Sequence, residues 1–300
     1  MKNNQTVIAG GVLAVLAILY FVTQTGAVDT KSVDSDAFAF EKDAISSIDL
    51  TSSGSVLSFV RNDLGWTLED YPVDTTRMNE FIDLFAALKL DRLITKNPEK
   101  HIKYEVAEGS STFQAKTDDG KELLRLFIGK QGANYQETFV REIGKDQVFA
   151  VKASLSSYKE KTQTDFWDRT ITQIDVSKIN HIEFSGEFNY IMNREGSLWT
   201  FNGEQVDYDK VVNMLQPLEN LQGSNFASGI TLDNVFYQNI ILSFEDGQKL
   251  ELTFHQKDEK GALVLVQVSG NNKVFEYSKA GLNRYKKELS DLIADPPPES

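Results

Sequence analysis

The chain has no cysteine and only three histidines in 300 residues. The first absence removes disulfides, thiolate nucleophiles and thiolate metal ligands together, and with them a lipid attached through an N-terminal cysteine. It does not locate the compartment. His101, His181 and His255 lie far apart in the chain, and none stands in a spacing such as HExxH or HxxEH, so no metal site is expected. Basic residues are outnumbered, 31 Lys and Arg against 44 Asp and Glu, for a net charge of -13. Such a surface repels phosphate backbones, which excludes nucleic acid as an expected partner. No GxSxG elbow, Walker loop or GxGxxG after a strand occurs. Acids are plentiful, but abundance carries no specificity for acid-base catalysis. The chain is therefore expected not to be an enzyme, with no catalytic, cofactor-binding or metal-ligating residue assigned and no cofactor implied.

Long apolar runs are also scarce, with one exception. Residues 7–22, VIAGGVLAVLAILYFV, are unbroken apolar sequence, and Lys2 is the one charged side chain before Asp29. As a helix, residues 5–23 would span roughly 28 Å, close to a hydrocarbon core of about 30 Å. Residues 1–28 are accordingly expected to be an uncleaved N-terminal membrane anchor. A cleaved signal peptide is the competing reading, and Thr23 and Gly26 match its small-x-small site poorly. Lys2 ahead of the span and Asp29 after it orient the globular part outward. The expected arrangement is a single span of the cytoplasmic membrane with an extracytoplasmic globular part.

What the chain does contain is a duplication. RNDLGWTLEDYPVDTTRMNEFIDLFAAL, beginning at Arg61, returns as REGSLWTFNGEQVDYDKVVNMLQPLENL, beginning at Arg194. Arg61, Trp66 and Asp74 fall opposite Arg194, Trp199 and Asp207, each pair 133 positions apart, and Phe81, Ile82, Phe85 and Leu88 fall opposite Met214, Leu215, Leu218 and Leu221. Apolar residues at three- and four-residue spacing predict a helix packed by one face. The Asp before each is its N-cap, a role that needs no catalysis. The tryptophans are first a core signature, with ligand stacking as the alternative. Arg61 and Arg194 sit at strand ends, where solvation or ion pairing competes with an anion contact. Pro217, where the first copy has Leu84, predicts that the second helix stops or kinks near Leu215.

Around each helix the pattern predicts strands. A meander precedes it, and hairpins follow at Asp118-Asp119-Gly120 and Asp246-Gly247, with Leu155 and Tyr158 answered by Leu282 and Tyr285 in a closing helix. In the second copy that helix is expected to run over residues 279–294. Residues 29–41 read as a polar tether and residues 91–110 as a polar connection. The expected organisation is an anchor at 1–28, a first repeat unit with tether at 29–163, a second at 164–295 and a Pro-rich tail at 296–300. The expected fold class is α+β: a transmembrane helix, then two tandem homologous units, each a mainly antiparallel β-sheet with a packed helix.

This order of strand, strand, Arg-x(4)-Trp, Asp cap, helix and hairpins ending in VFAV or VFEY, with FWDRTITQIDVSKINHIEF at the junction, resembles the bacterial domain-of-unknown-function family 4340. Members of that family are typically anchored envelope proteins, and many are encoded beside ABC-transporter subunits similar to those of the gliding-motility auxiliary type. The resemblance implies a non-catalytic accessory or scaffold subunit, with integral membrane proteins of transporter type as partners, and it transfers no catalytic residue. Two alternatives stand beside it. One is an envelope glycan- or small-ligand-binding protein with a site between the two units; the other is an envelope hydrolase.

Overall fold

The computed structural model describes residues 34–52, 54–133, 135–227, 236–257 and 261–294. The proposed anchor at 1–28, the first part of the tether and the Pro-rich tail lie outside the described residues. The chain divides into two compact units, Met1–Asp168 and Arg169–Ser300.

The first unit is one sheet with a helix on it. Its strands are β1 (Ser47–Ser52), β2 (Ser55–Asn62), β3 (Gly65–Leu68), β4 (Tyr71–Pro72), β5 (Leu90–Thr95), β6 (Thr112–Lys116), β7 (Glu122–Gln131), β8 (Thr138–Glu142) and β9 (Val148–Val151). They lie in the order β4-β3-β2-β1-β6-β7-β8-β9-β5, with antiparallel pairings throughout. Side chains alternate across a strand, so Ile48, Leu50, Leu57 and Phe59 enter the core while Asp49 and Ser58 meet each other outside through a 2.8 Å hydrogen bond.

Helix α1 (Thr75–Ala86) lies between β4 and β5 in the chain and buries Met78, Phe81, Ile82 and Phe85. Twelve residues make a marginal helix in water, so packing holds it. Phe85 stacks on Phe113 of β6 with centroids 3.9 Å apart, and Phe81 meets Phe166 at 5.4 Å. Each such ring contributes roughly 1.5–3 kcal/mol by leaving water.

The second unit repeats the plan. Its strands are β10 (Thr170–Gln173), β11 (Ile179–Gly186), β12 (Tyr190–Glu195), β13 (Leu198–Phe201), β14 (Glu204–Val206), β15 (Asn220–Gln222), β16 (Asn225–Phe226), β17 (Phe236–Phe244), β18 (Lys249–Gln256), β19 (Leu263–Val268) and β20 (Val274–Ser278). The order β14-β13-β12-β11-β17-β18-β19-β20-β16 matches the first sheet strand for strand, and β10 pairs with β15 beside it. Helix α2 (Tyr208–Leu215) buries Val211, Met214 and Leu215. It stops at Leu215, where Pro217 forces a 3-10 turn over Gln216–Leu218.

The expected fold class is corrected. The described residues are mostly antiparallel β-sheet, in two large nine-stranded sheets, rather than α+β. Helical periodicity marked α1 and α2 truly, yet these are short pieces laid on sheets whose strands hold about twice as many residues as all the helices. None of the helices among the described residues is long and apolar enough to cross a membrane. The long closing helix is also corrected to two short ones, α3 (Lys279–Asn283) and α4 (Leu289–Leu292). Glu288 between them is extended, and its amide donates to the Asp291 carboxylate at 2.9 Å in a capping box.

Two stretches read as connections belong to the units. In the stretch read as a polar connection, Leu90–Thr95 is β5, an edge strand whose Asp91 and Arg92 interrupt the apolar pattern. In the stretch read as a tether, Phe38 is buried, the Leu90 amide donates to Ser35 O at 2.9 Å and the Phe40 amide to Ala86 O at 3.3 Å. The second unit makes the same two bonds, Gly223 to Arg169 O at 2.8 Å and Ile174 to Glu219 O at 3.0 Å. The duplication therefore begins earlier than the strands of the meander.

Candidate functional site

The repeated side chains hold equivalent places. Arg61 faces Trp66 across the β2–β3 pair, and Arg194 faces Trp199 across β12–β13. Asp74 accepts from the Arg77 amide at 3.0 Å, and Asp207 from the Lys210 amide at 2.9 Å, so both act as helix caps. The arginines differ in detail. Arg61 is exposed and reaches Asp43 O at 3.4 Å, whereas the Arg194 side chain is 9% exposed, pairs with Glu245 and lies 5.8 Å from the centre of the Trp199 ring. Trp66 is half-buried against the first core, while Trp199 is 1% exposed. Its indole Nε1 has no hydrogen-bond partner among the described residues. In neither unit do Arg, Trp and Asp converge on one point: the first two belong to a hairpin and the third to a helix start.

A hollow opens beside each helix, and one device builds both. After the closing turn the chain folds back so that the Asp74 amide donates to Phe166 O and the Asp207 amide to Leu292 O, both at 2.8 Å. This strap is pinned in the first unit by Thr162 with Asp165 and in the second by Glu288 with Asp291. Arg77 donates to Asp165 O at 2.8 Å and Lys210 to Ile293 O at 2.9 Å. The first hollow is about 350 Å³, bounded by Arg77, Glu80, Tyr158 and the strap. The second is about 440 Å³, bounded by α2, by Arg284 and Lys287 after α3, and by α4. Sequence reasoning missed both, because the strap lies far in the chain from the helix it meets; the shared acids Asp165 and Asp291 were the signal available.

The histidines are spread over both units. His101 is buried with Nε2 3.0 Å from Asp146 O, and His181 Nδ1 lies 2.7 Å from Asn193 Oδ1. Among the described residues no group of three His, Asp or Glu could hold a metal ion. Two buried tyrosines also stand apart from any polar cluster. Tyr190 donates to Tyr285 O at 2.5 Å, and burial raises the phenol pKa of both. These rings stack with Phe184 as core.

In the first unit a charged chain ties down the edge. Arg92 of β5 reaches Glu137 with two bonds of 2.8 and 2.7 Å and Asp91 at 2.7 Å, and Lys152 meets Asp91 at 2.7 Å. The connection after β5 is held by Arg141, which is buried, donates from Nε to Val106 O at 2.7 Å and covers the Phe127 ring. These cations are spent on structure.

No curated protein and no solved structure matches the chain. One family model does match, over residues 66–235, a stretch that takes in the Trp-cap-helix segment of both units and more than half of the chain. The chain belongs to the family described as Domain of unknown function (DUF4340).

Proposed function

We propose that the chain is a non-catalytic accessory or scaffold subunit acting on the extracytoplasmic side of an ABC-transporter-like membrane complex. The observation that carries this reading is what the duplication keeps. The side chains shared by the two units serve shape: a helix cap, a cross-strand Arg–Trp pair, an aromatic core and a strap closing on the helix start. Duplicated shape supports a role in which surfaces are presented to partners. The context implied by the family resemblance supplies the kind of partner, a polytopic permease with its nucleotide-binding subunit.

Affinity purification of the full chain from membranes in mild detergent tests this. A permease and its nucleotide-binding subunit should copurify in fixed stoichiometry and resist moderate salt. A chain that runs alone in several mild detergents would overturn the proposal. Turnover of any member of an ester, peptide and glycoside panel would overturn its non-catalytic part.

A further inference from the structure

The duplication supplies an internal control, since the same hollow was built twice and its charges differ. In the first unit the lining is balanced: Arg77 and Lys161 face Glu80 and Asp165. Lys161 pairs with Asp165 at 3.1 Å, and Arg77 lies 3.9 Å from Asp74. In the second unit Asn213 stands where the first has Glu80 and Arg284 where it has Ser157, while Lys287, next before the capping box, answers Lys161. Each change moves the lining toward positive charge. Lys210, Arg284 and Lys287 now face one acid, Asp291.

Arg284 and Lys287 have no ion pair among the described residues. The charged residue acting on the shared tyrosine has changed sign too. Burial raises the phenol pKa of both, but Glu80 adds to the rise at Tyr158 whereas Arg284 opposes it at Tyr285. Pro217 lines the second hollow, having ended α2 early, and Met214 and Leu292 complete its apolar floor. On a chain of net charge -13, a cationic hollow built against the overall balance calls for an anion.

We infer that the hollow between α2, the segment after α3, and α4 binds a phosphate group, free or as the headgroup of an anionic lipid. Three cations against one acid leave an excess of two positive charges, which suits an inorganic phosphate dianion and also a singly charged phosphodiester headgroup, and the Asn213 amide adds neutral hydrogen-bonding capacity. Arg284 offers the planar fork and the two lysines offer point charges. The inference does not depend on the accessory role proposed above.

Calorimetric titration of the full chain in neutral detergent tests it with inorganic phosphate, with dihexanoylphosphatidylglycerol and with dihexanoylphosphatidylcholine. Saturable binding of phosphate and the anionic lipid alike assigns the phosphate group itself; binding of the anionic lipid alone, with the zwitterionic lipid silent, assigns a headgroup. Either result supports the site if R284Q/K287Q weakens binding at least about tenfold, the change expected when about 1.4 kcal/mol of charge interaction is lost. N213E, which restores the acid of the first unit and removes no cation, should weaken it similarly. Both variants change surface positions and should melt within a few degrees of the parent. Absence of saturable binding, or binding untouched by R284Q/K287Q in a folded protein, overturns the inference.

Discussion

Two side chains at the starts of helices and one glycine set the sharpest local requirements. Asp74 and Asp207 each satisfy one amide of a first turn that otherwise has no partner. Replacing either by Ala should cost about 1 kcal/mol, read as a lower urea midpoint at unchanged slope. Gly129 of β7 is a different case. A Cβ there would sit 2.4 Å from Tyr104 O and 2.7 Å from Phe139 O, and backbone carbonyls cannot step aside. Gly129→Ala should cost about 1–3 kcal/mol in the same experiment. The second unit has Gln256 at the corresponding place, so the shared strand itself accepts a side chain there. Gly129 therefore answers to the longer connection of the first unit rather than to the shared fold. The caps were legible because a short polar residue before an apolar period is a local pattern. The glycine was not, because its neighbour Tyr104 comes from another element.

The elements show where local pattern stops being enough. Helix α1 and the 3-10 stop at Pro217 follow from spacing and one proline, both within a turn or two of chain. Strand β5 was hidden because Asp91 and Arg92 look like loop residues until Glu137 and Lys152 are placed beside them. The Lys152 ammonium, followed by the Arg92 guanidinium, hydrogen-bonds Asp91 and holds its carboxyl below the usual range. The folded pKa is thus lower than the unfolded value of about 3.9. That contribution is complete well above this value and is lost as pH falls through the folded pKa. Thermal melts between about pH 7 and about pH 2.5 should show Asp91→Asn flattening part of the acid limb. An unchanged acid limb would mean that the pair does not hold the edge. The break between α3 and α4 was likewise unreadable from Leu282, Tyr285, Leu289 and Leu292, whose spacing suits one helix. Glu288 and Asp291 cap a second start instead, and that choice lets Leu292 reach the Asp207 amide.

At the scale of the whole molecule, each unit has a core that depends on its first and last segments. Phe166 is buried at 3% exposure, 4.8 Å from Phe59 and 5.4 Å from Phe81, and its carbonyl receives the Asp74 amide. Phe38 enters the same core from the other end. A fragment of residues 29–168 should therefore melt cooperatively by circular dichroism, while one ending at residue 163 should lose several kcal/mol or fail to fold, as removal of a buried Phe does. Equal stability of the two fragments would show that the strap is dispensable. Taken alone, the sequence determined the duplication, the caps, the hairpin turns and the proline stop, because each is written in residues that touch across a few positions. The tertiary structure alone decided that both units are large antiparallel sheets, that residues 35–40 belong to the first of them, and that a returning strap closes a hollow beside each helix. Those outcomes depend on backbone groups and charges separated by tens of residues, and such partners are chosen only when the chain has folded.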